Sequence, residues 1–170
     1  MKHEIYFTRE KTGLGHRTAA SVIRKAAQKA LDAEKVDKPC IISVMLTDDE
    51  GIRSINAEFR GIDRATDVLS FPGGEMQPGH FDADALTCDP ESGAYILGDM
   101  AISLERCQAQ GEEFGHGFDR EISYLTVHSV LHLLGYDHIE PLDRVHMREK
   151  EELVMDQLGL PASISYIAEE

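Results

Sequence analysis

The feature that most restricts this chain is one segment, His128-Ser129-Val130-Leu131-His132-Leu133-Leu134-Gly135-Tyr136-Asp137-His138. Four residues are close to one helical turn, so on a helix His128 and His132 project from the same face, one above the other, and can share a metal ion. Gly135 accounts for a third ligand. A residue that leaves the helix in the left-handed conformation lets the chain reverse, so that His138 returns toward the first two. The pattern requires a helix ending near residue 134, an abrupt turn, and a metal site at the C-terminal end of that helix. Three neutral imidazoles leave one open position on tetrahedral zinc, which is where a catalytic site holds water. With 8 histidines in 170 residues, this triple spacing arises by chance in roughly 2% of such chains.

The expected ion is a single Zn2+, since imidazole ligands and a tetrahedral site favour it, although affinity order alone leaves nickel and manganese open. The three cysteines, Cys40, Cys88 and Cys107, are far apart and lack CxxC spacing, so they indicate neither disulfides nor a thiolate site. Each reads as a small buried apolar residue. His116, His146 or an acid could supply a fourth ligand if the site were structural.

The rest of the chain reads as one α+β domain, residues 1–170, with a mixed sheet of about four strands and helices packed against it. Residues 3–8 form a short strand, and 18–33 a helix with Val22, Ile23, Ala26, Ala30 and Leu31 as its apolar stripe. Residues 40–46, CIISVML, suit a strand buried on both faces. Thr47 and Glu50 fit a capping box opening a helix that ends near Gly61. Residues 66–71 and 95–102 are further strands, and the stretch between them, 73–93, has four Gly, two Pro and five acids, the composition of a mobile surface excursion. Helices are expected over 103–110, closed by Gly111, over 118–134, and over 141–158 with Pro141 in the first turn.

No apolar run reaches the about 18 to 20 residues that span a bilayer, and the start MKHEIYFTREK lacks the apolar stretch of a secretion signal, so a cytoplasmic protein without membrane contact is expected. The formal charge of −14 argues against nucleic acid until its distribution is considered. Residues 1–66 carry 12 Lys/Arg and 10 Asp/Glu, whereas 67–170 carry 5 and 21. An anionic partner is therefore expected at the first part of the chain, and Arg17, Arg24, Lys25 and Lys29 with Arg60 and Arg64 could form a basic groove.

The histidine spacing is also that of the metzincin proteases, HExxHxxGxxH, except that Ser129 stands where they have Glu. That Glu is their general base, and a serine hydroxyl cannot replace it near neutral pH. A phosphodiester suits the site better, provided a cation offsets the negative charge of the transition state. The segment Asn56-Ala-Glu-Phe59-Arg60-Gly-Ile-Asp63-Arg64-Ala-Thr66-Asp67-Val-Leu-Ser70-Phe71-Pro72 contains such cations in Arg60 and Arg64. Spacing alone favours their pairing with Asp63 and Asp67 as surface salt bridges.

Taken together, Asn56 to Pro72, Leu97-Gly98-Asp99-Met100, and His128 to His138 followed by Met147 and Glu151 resemble the successive signature blocks of the YbeY family of bacterial endoribonucleases. The similarity runs from about residue 40 to Gly159. It implies a zinc-dependent, single-strand-specific endoribonuclease that acts in maturation of the 16S rRNA 3′ end and in ribosome quality control, with single-stranded rRNA and the small ribosomal subunit as partners. It places the three metal-binding histidines on His128, His132 and His138, and the functionally required arginine on Arg60. The family usually has Gly after the first histidine, so Ser129 is a departure, expected to tighten the helix locally. Asp67, Asp99 and Asp137 are candidates for the general base. The alternatives are an assembly factor with a structural zinc and a metzincin-like hydrolase of another substrate.

Overall fold

The computed structural model describes residues 1–160. The strands are β1 (Glu4–Arg9), β2 (Cys40–Thr47), β3 (Val68–Pro72) and β4 (Tyr95–Ser103), and the helices α1 (Ala19–Ala33), α2 (Asp49–Arg60), α3 (Leu104–Glu113), α4 (Phe118–Leu133) and α5 (Pro141–Gln157). They form one sheet in the order β1-β2-β4-β3, with the first three parallel and β3 antiparallel on the edge. The α+β class, the mixed four-stranded sheet and the order of elements are those expected. No helix among the described residues is long and apolar enough to cross a membrane.

Side chains alternate across the sheet. Val44 and Leu46 of β2 with Met100 and Ile102 of β4 join α1, α4 and α5 in the main core, whereas Ala101 faces α2 with Ile52, Leu69 and the partly buried Met45 and Phe71. The second face is thinly covered. Ser43 is exposed and Met45 half-buried, so β2 is not buried on both faces as its composition suggests. Helix α4 is the hub, with neighbours in α1, α3, α5 and β3, and it is buried along most of its length. Two of its buried hydroxyls are partnered inside. Thr126 donates to the Ile122 carbonyl at 2.7 Å, and the hydroxyls of Ser129 and Ser70 meet at 2.7 Å, tying α4 to the edge strand.

Four local expectations are corrected. Thr47 is the buried last residue of β2, its hydroxyl 3.2 Å from Glu10, so the cap of α2 passes to Asp48, which accepts from the Gly51 N–H at 2.9 Å. Gly111 lies within α3 rather than after it. The Gly117 carbonyl packs so closely that a Cβ at 111 would lie 2.6 Å from it, so this glycine serves helix packing and not termination. The 73–93 stretch is tied down rather than loose: Leu86 enters the core, Cys88 bridges to Tyr95, and the Thr87 carbonyl accepts from the Ile96 N–H at 2.9 Å. Cys40 and Cys107 are buried, but Cys88 is exposed.

Candidate metal centre

Helix α4 ends at Leu133, directly after His132, and two residues on Gly135 takes φ +99° and the Tyr136 N–H bonds back to the Leu131 carbonyl at 3.0 Å. Only glycine fits here on two counts. The positive φ disfavours a side chain, and a Cβ would lie 2.3 Å from the Met76 carbonyl oxygen. Beyond the turn, Asp137 accepts from the N–H groups of His138 at 2.7 Å and Ile139 at 3.3 Å, which curls the chain back toward the helix. The imidazole centroids then stand 4.6 Å apart for His128 and His132, 5.0 Å for His132 and His138, and 5.3 Å for His128 and His138.

The hydrogen bonds of the outer ring nitrogens test whether the three suit a cation. Nδ1 of His132 is 2.9 Å from the Tyr136 carbonyl, which can only accept, so Nδ1 carries the proton. Nδ1 of His128 meets a carboxylate oxygen of Glu151, again an acceptor. Neutral rings protonated at Nδ1 have lone pairs on Nε2, and those two Nε2 atoms lie 3.1 Å apart. Lone pairs at that distance repel unless a cation lies between their axes. The ligand atoms of all three histidines lie within 4.8 Å of one another, so the set fits one divalent metal ion. Burial, and the neighbouring His128 and His138, push the His132 pKa down to about 4, which keeps the ring a neutral ligand well below neutral pH.

Glu151, on α5, is almost wholly buried and also accepts from the Tyr124 hydroxyl at 3.1 Å. A carboxylate behind a ligating histidine fixes the ring's tautomer and direction. Its signal in the sequence is faint but present: Met147, Glu151, Val154 and Met155 lie at helical spacing and are the buried residues of α5, so an acid occupies an apolar stripe. No fourth His, Cys, Asp or Glu joins the cluster among the described residues. His116 pairs instead with Glu121 at 2.8 Å, and the His146 ring lies 5.3 Å from that of Tyr136.

The histidines form part of the wall of a cleft of about 750 Å³, with the β3 side supplied by Thr66, Asp67, Val68, Ser70 and Pro72. Arg60, on the last turn of α2, lines the same cleft. The salt bridges that spacing favoured do not form: Asp63 binds Arg53 at 2.7 Å, and Asp67 accepts from the Val68 N–H. Among the described residues, neither Arg60 nor Arg64 makes an ion pair. Arg64 does not line the cleft. No residue of α1 lines the cleft either, and Arg24 lies over the Phe7 ring at 5.0 Å and lines a separate hollow with Lys2 and Tyr6. Asp67 and Asp137 border the cleft, whereas Asp99 does not. Ser129 is buried against Ser70, so its hydroxyl is directed to the sheet. Gln110 and Glu121, which also line the cleft, carry no recognisable signal in the sequence.

Comparison with known proteins gives a consistent result. A family model described as "Endoribonuclease YbeY" matches residues 4–159. A Clostridium kluyveri protein named Endoribonuclease YbeY is 46% identical over 145 residues, covering 82% of this chain and 88% of its own length. A protein of the same name from Caldanaerobacter subterraneus subsp. tengcongensis is 48% identical over 140 residues, with 82% and 87% covered. The solution structure of TM1509 from Thermotoga maritima shares the fold, with a TM-score of 0.53 at 22% identity and 91% of each chain covered.

Proposed function

The chain belongs to the endoribonuclease YbeY family, and we propose that it is a zinc-dependent, single-strand-specific endoribonuclease acting in maturation of the 16S rRNA 3′ end and in ribosome quality control, at the small ribosomal subunit in the cytoplasm. The observation that carries the proposal is the convergence of three imidazoles in one cleft with an arginine that has no ion-pair partner among the described residues. His128, His132 and His138 hold the metal. Glu151 and the Tyr136 carbonyl keep the first two rings protonated at Nδ1, so that their Nε2 lone pairs face inward. Zinc, when bound, supplies Lewis acidity toward a phosphoryl oxygen and lowers the pKa of water. Arg60 contacts the scissile phosphate and offsets the charge that grows on it, a role suited to a guanidinium that needs no release from a carboxylate. One domain, residues 1–170, carries the activity, its last ten residues lying outside those described.

A metzincin-like peptidase is disfavoured because Ser129 faces Ser70 and supplies no base. A closed structural zinc site normally has four protein ligands, and three are found among the described residues. The test incubates purified wild-type protein and the His132→Ala and Arg60→Ala variants with single-stranded RNA, with and without a chelator. Wild-type cleavage is expected to depend on metal. His132→Ala should lose it with the zinc, and Arg60→Ala should lose about 10²- to 10³-fold with zinc content unchanged. Cleavage surviving both the chelator and His132→Ala would refute the metal-hydrolase assignment.

A further inference from the structure

Three acids were open as the proton acceptor of the centre, and the fold separates them. Asp99 does not border the cleft. Asp137 does, but it holds the His138 and Ile139 N–H groups that shape the third ligand's turn. Asp67 stands at the entry to β3. Its Oδ1 accepts from the Val68 N–H at 2.7 Å and from the Thr66 hydroxyl at 3.5 Å, and its Oδ2 accepts from Nε2 of Gln110 at 3.3 Å. An ionised carboxylate has about four lone-pair positions, so these contacts leave one for a donor in the cleft.

Gln110 is itself held from behind. The amide nitrogen has two hydrogens, and the second goes to Oε2 of Glu121 at 2.7 Å. Glu121 is almost wholly buried, and its other oxygen meets Nε2 of His116 at 2.8 Å. Gln110 therefore stands between two carboxylates that otherwise repel each other. Reversing the amide would set its oxygen against both, so Glu121 dictates that Gln110 presents N–H to Asp67. An acid buried beside a histidine outside the metal cluster is costly unless it does something, and here it orients a group at the cleft wall.

We propose that Asp67 is the general base of this centre and that Glu121, acting through Gln110, is its positioning residue; the assignment rests on the ribonuclease reading above. In the step, a water oxygen forms a bond to phosphorus while its proton passes to Asp67, and the bond from phosphorus to the leaving ribose oxygen breaks. That oxygen takes up a proton from solvent, and Asp67 returns its own to solvent. The other titratable or charged groups on the cleft wall are Glu121, Arg60, Asp137, Tyr124, Tyr136 and the three histidines.

The test is cleavage of a labelled single-stranded oligoribonucleotide by zinc-loaded protein over a range of RNA concentrations, with RNA affinity and zinc content measured alongside. Asp67→Asn is expected to cleave about 10²- to 10³-fold more slowly, with affinity and zinc retained. Asp67→Glu should recover part of the rate. Glu121→Gln should slow cleavage about tenfold, with KM unchanged. An Asp67→Asn variant within twofold of wild type would overturn the assignment. So would a loss of RNA affinity that matches the loss of rate. Should Asp67→Asn fail to fold, Gln110→Met decides: it is expected to slow cleavage with KM unchanged, and an unchanged rate overturns the proposal. Wild-type protein that cleaves no RNA would remove the ribonuclease reading itself, whereas wild-type cleavage with an unaffected Asp67→Asn overturns the general-base assignment alone.

Discussion

His128 with Glu151 and His116 with Glu121 are the same chemical pair built twice, each with a glutamate that is 2% or less exposed. They differ in what the imidazole's other nitrogen meets. Nε2 of His128 converges with two further histidines at the cleft, whereas His116 is packed beside Phe114, its ring 5.7 Å away, and its glutamate passes the interaction to Gln110. A buried pair is therefore no sign of a metal site by itself. On the proposed reading, the surroundings of the second nitrogen decide whether the histidine becomes a ligand or a support.

The strongest way to break this contrast is to remove each histidine. His128→Ala should abolish zinc binding and reduce cleavage to background, while His116→Ala should keep stoichiometric zinc, although it destabilises the fold by about 3 to 5 kcal/mol by leaving Glu121 buried without that partner. Zinc content by elemental analysis, with a urea melt, separates the two. Equal loss of zinc in both would erase the distinction.

A finer test exchanges the acids. Glu151→Gln removes the charge behind a proposed ligand and should weaken zinc by about 10- to 100-fold, whereas Glu121→Gln should leave zinc affinity within about twofold. Competition with a chromogenic chelator measures both. A larger zinc effect from Glu121→Gln would reverse the assignment of the two pairs.

The smallest effect concerns pH, where the two regions have opposite signs. His132 titrates near 6.5 when unfolded and at about 4 in the folded, metal-free protein. Between those values the unfolded chain holds the extra proton, so stability is full above pH 6.5 and falls as pH drops to 4, by up to about 3 kcal/mol. Glu121 is raised by burial, with Asp67 adding to the rise and bonds from His116 and Gln110 opposing it. Its contribution is present below its unfolded pKa and lost as pH rises through the raised one. Urea midpoints of metal-free protein between pH 4 and 7.5 should therefore rise more steeply with pH in Glu121→Gln than in wild type, and less steeply in His132→Gln. An unchanged slope in His132→Gln would place the titration elsewhere.

Much of the site was legible because its central part is local. Helical geometry sets His128 and His132 on one face without reference to the rest of the chain, and Gly135 marks the reversal that returns His138. The order of strands and helices followed from the same short-range periodicities. Capping was read one residue early, since Thr47 and Asp48 have equivalent chemistry as caps and the buried end of β2 decided between them. Arg60 lay in a recognisable block, yet spacing alone favoured its pairing with a nearby acid, and the fold gives that acid to Arg53.

What the sequence determined by itself is the set of groups bound by the helix repeat and the turn: three imidazoles and the place where they meet. The tertiary structure alone decided which acids stand behind them. Glu151 reaches His128 across 23 residues and Gln110 reaches Asp67 across 43, whereas Asp99 is carried away from the cleft and Arg24 to another hollow. The reason is physical. A contact four residues apart on a helix is dictated by backbone geometry, but contacts between elements depend on how apolar faces pack, and residues alike in type are then sorted by position.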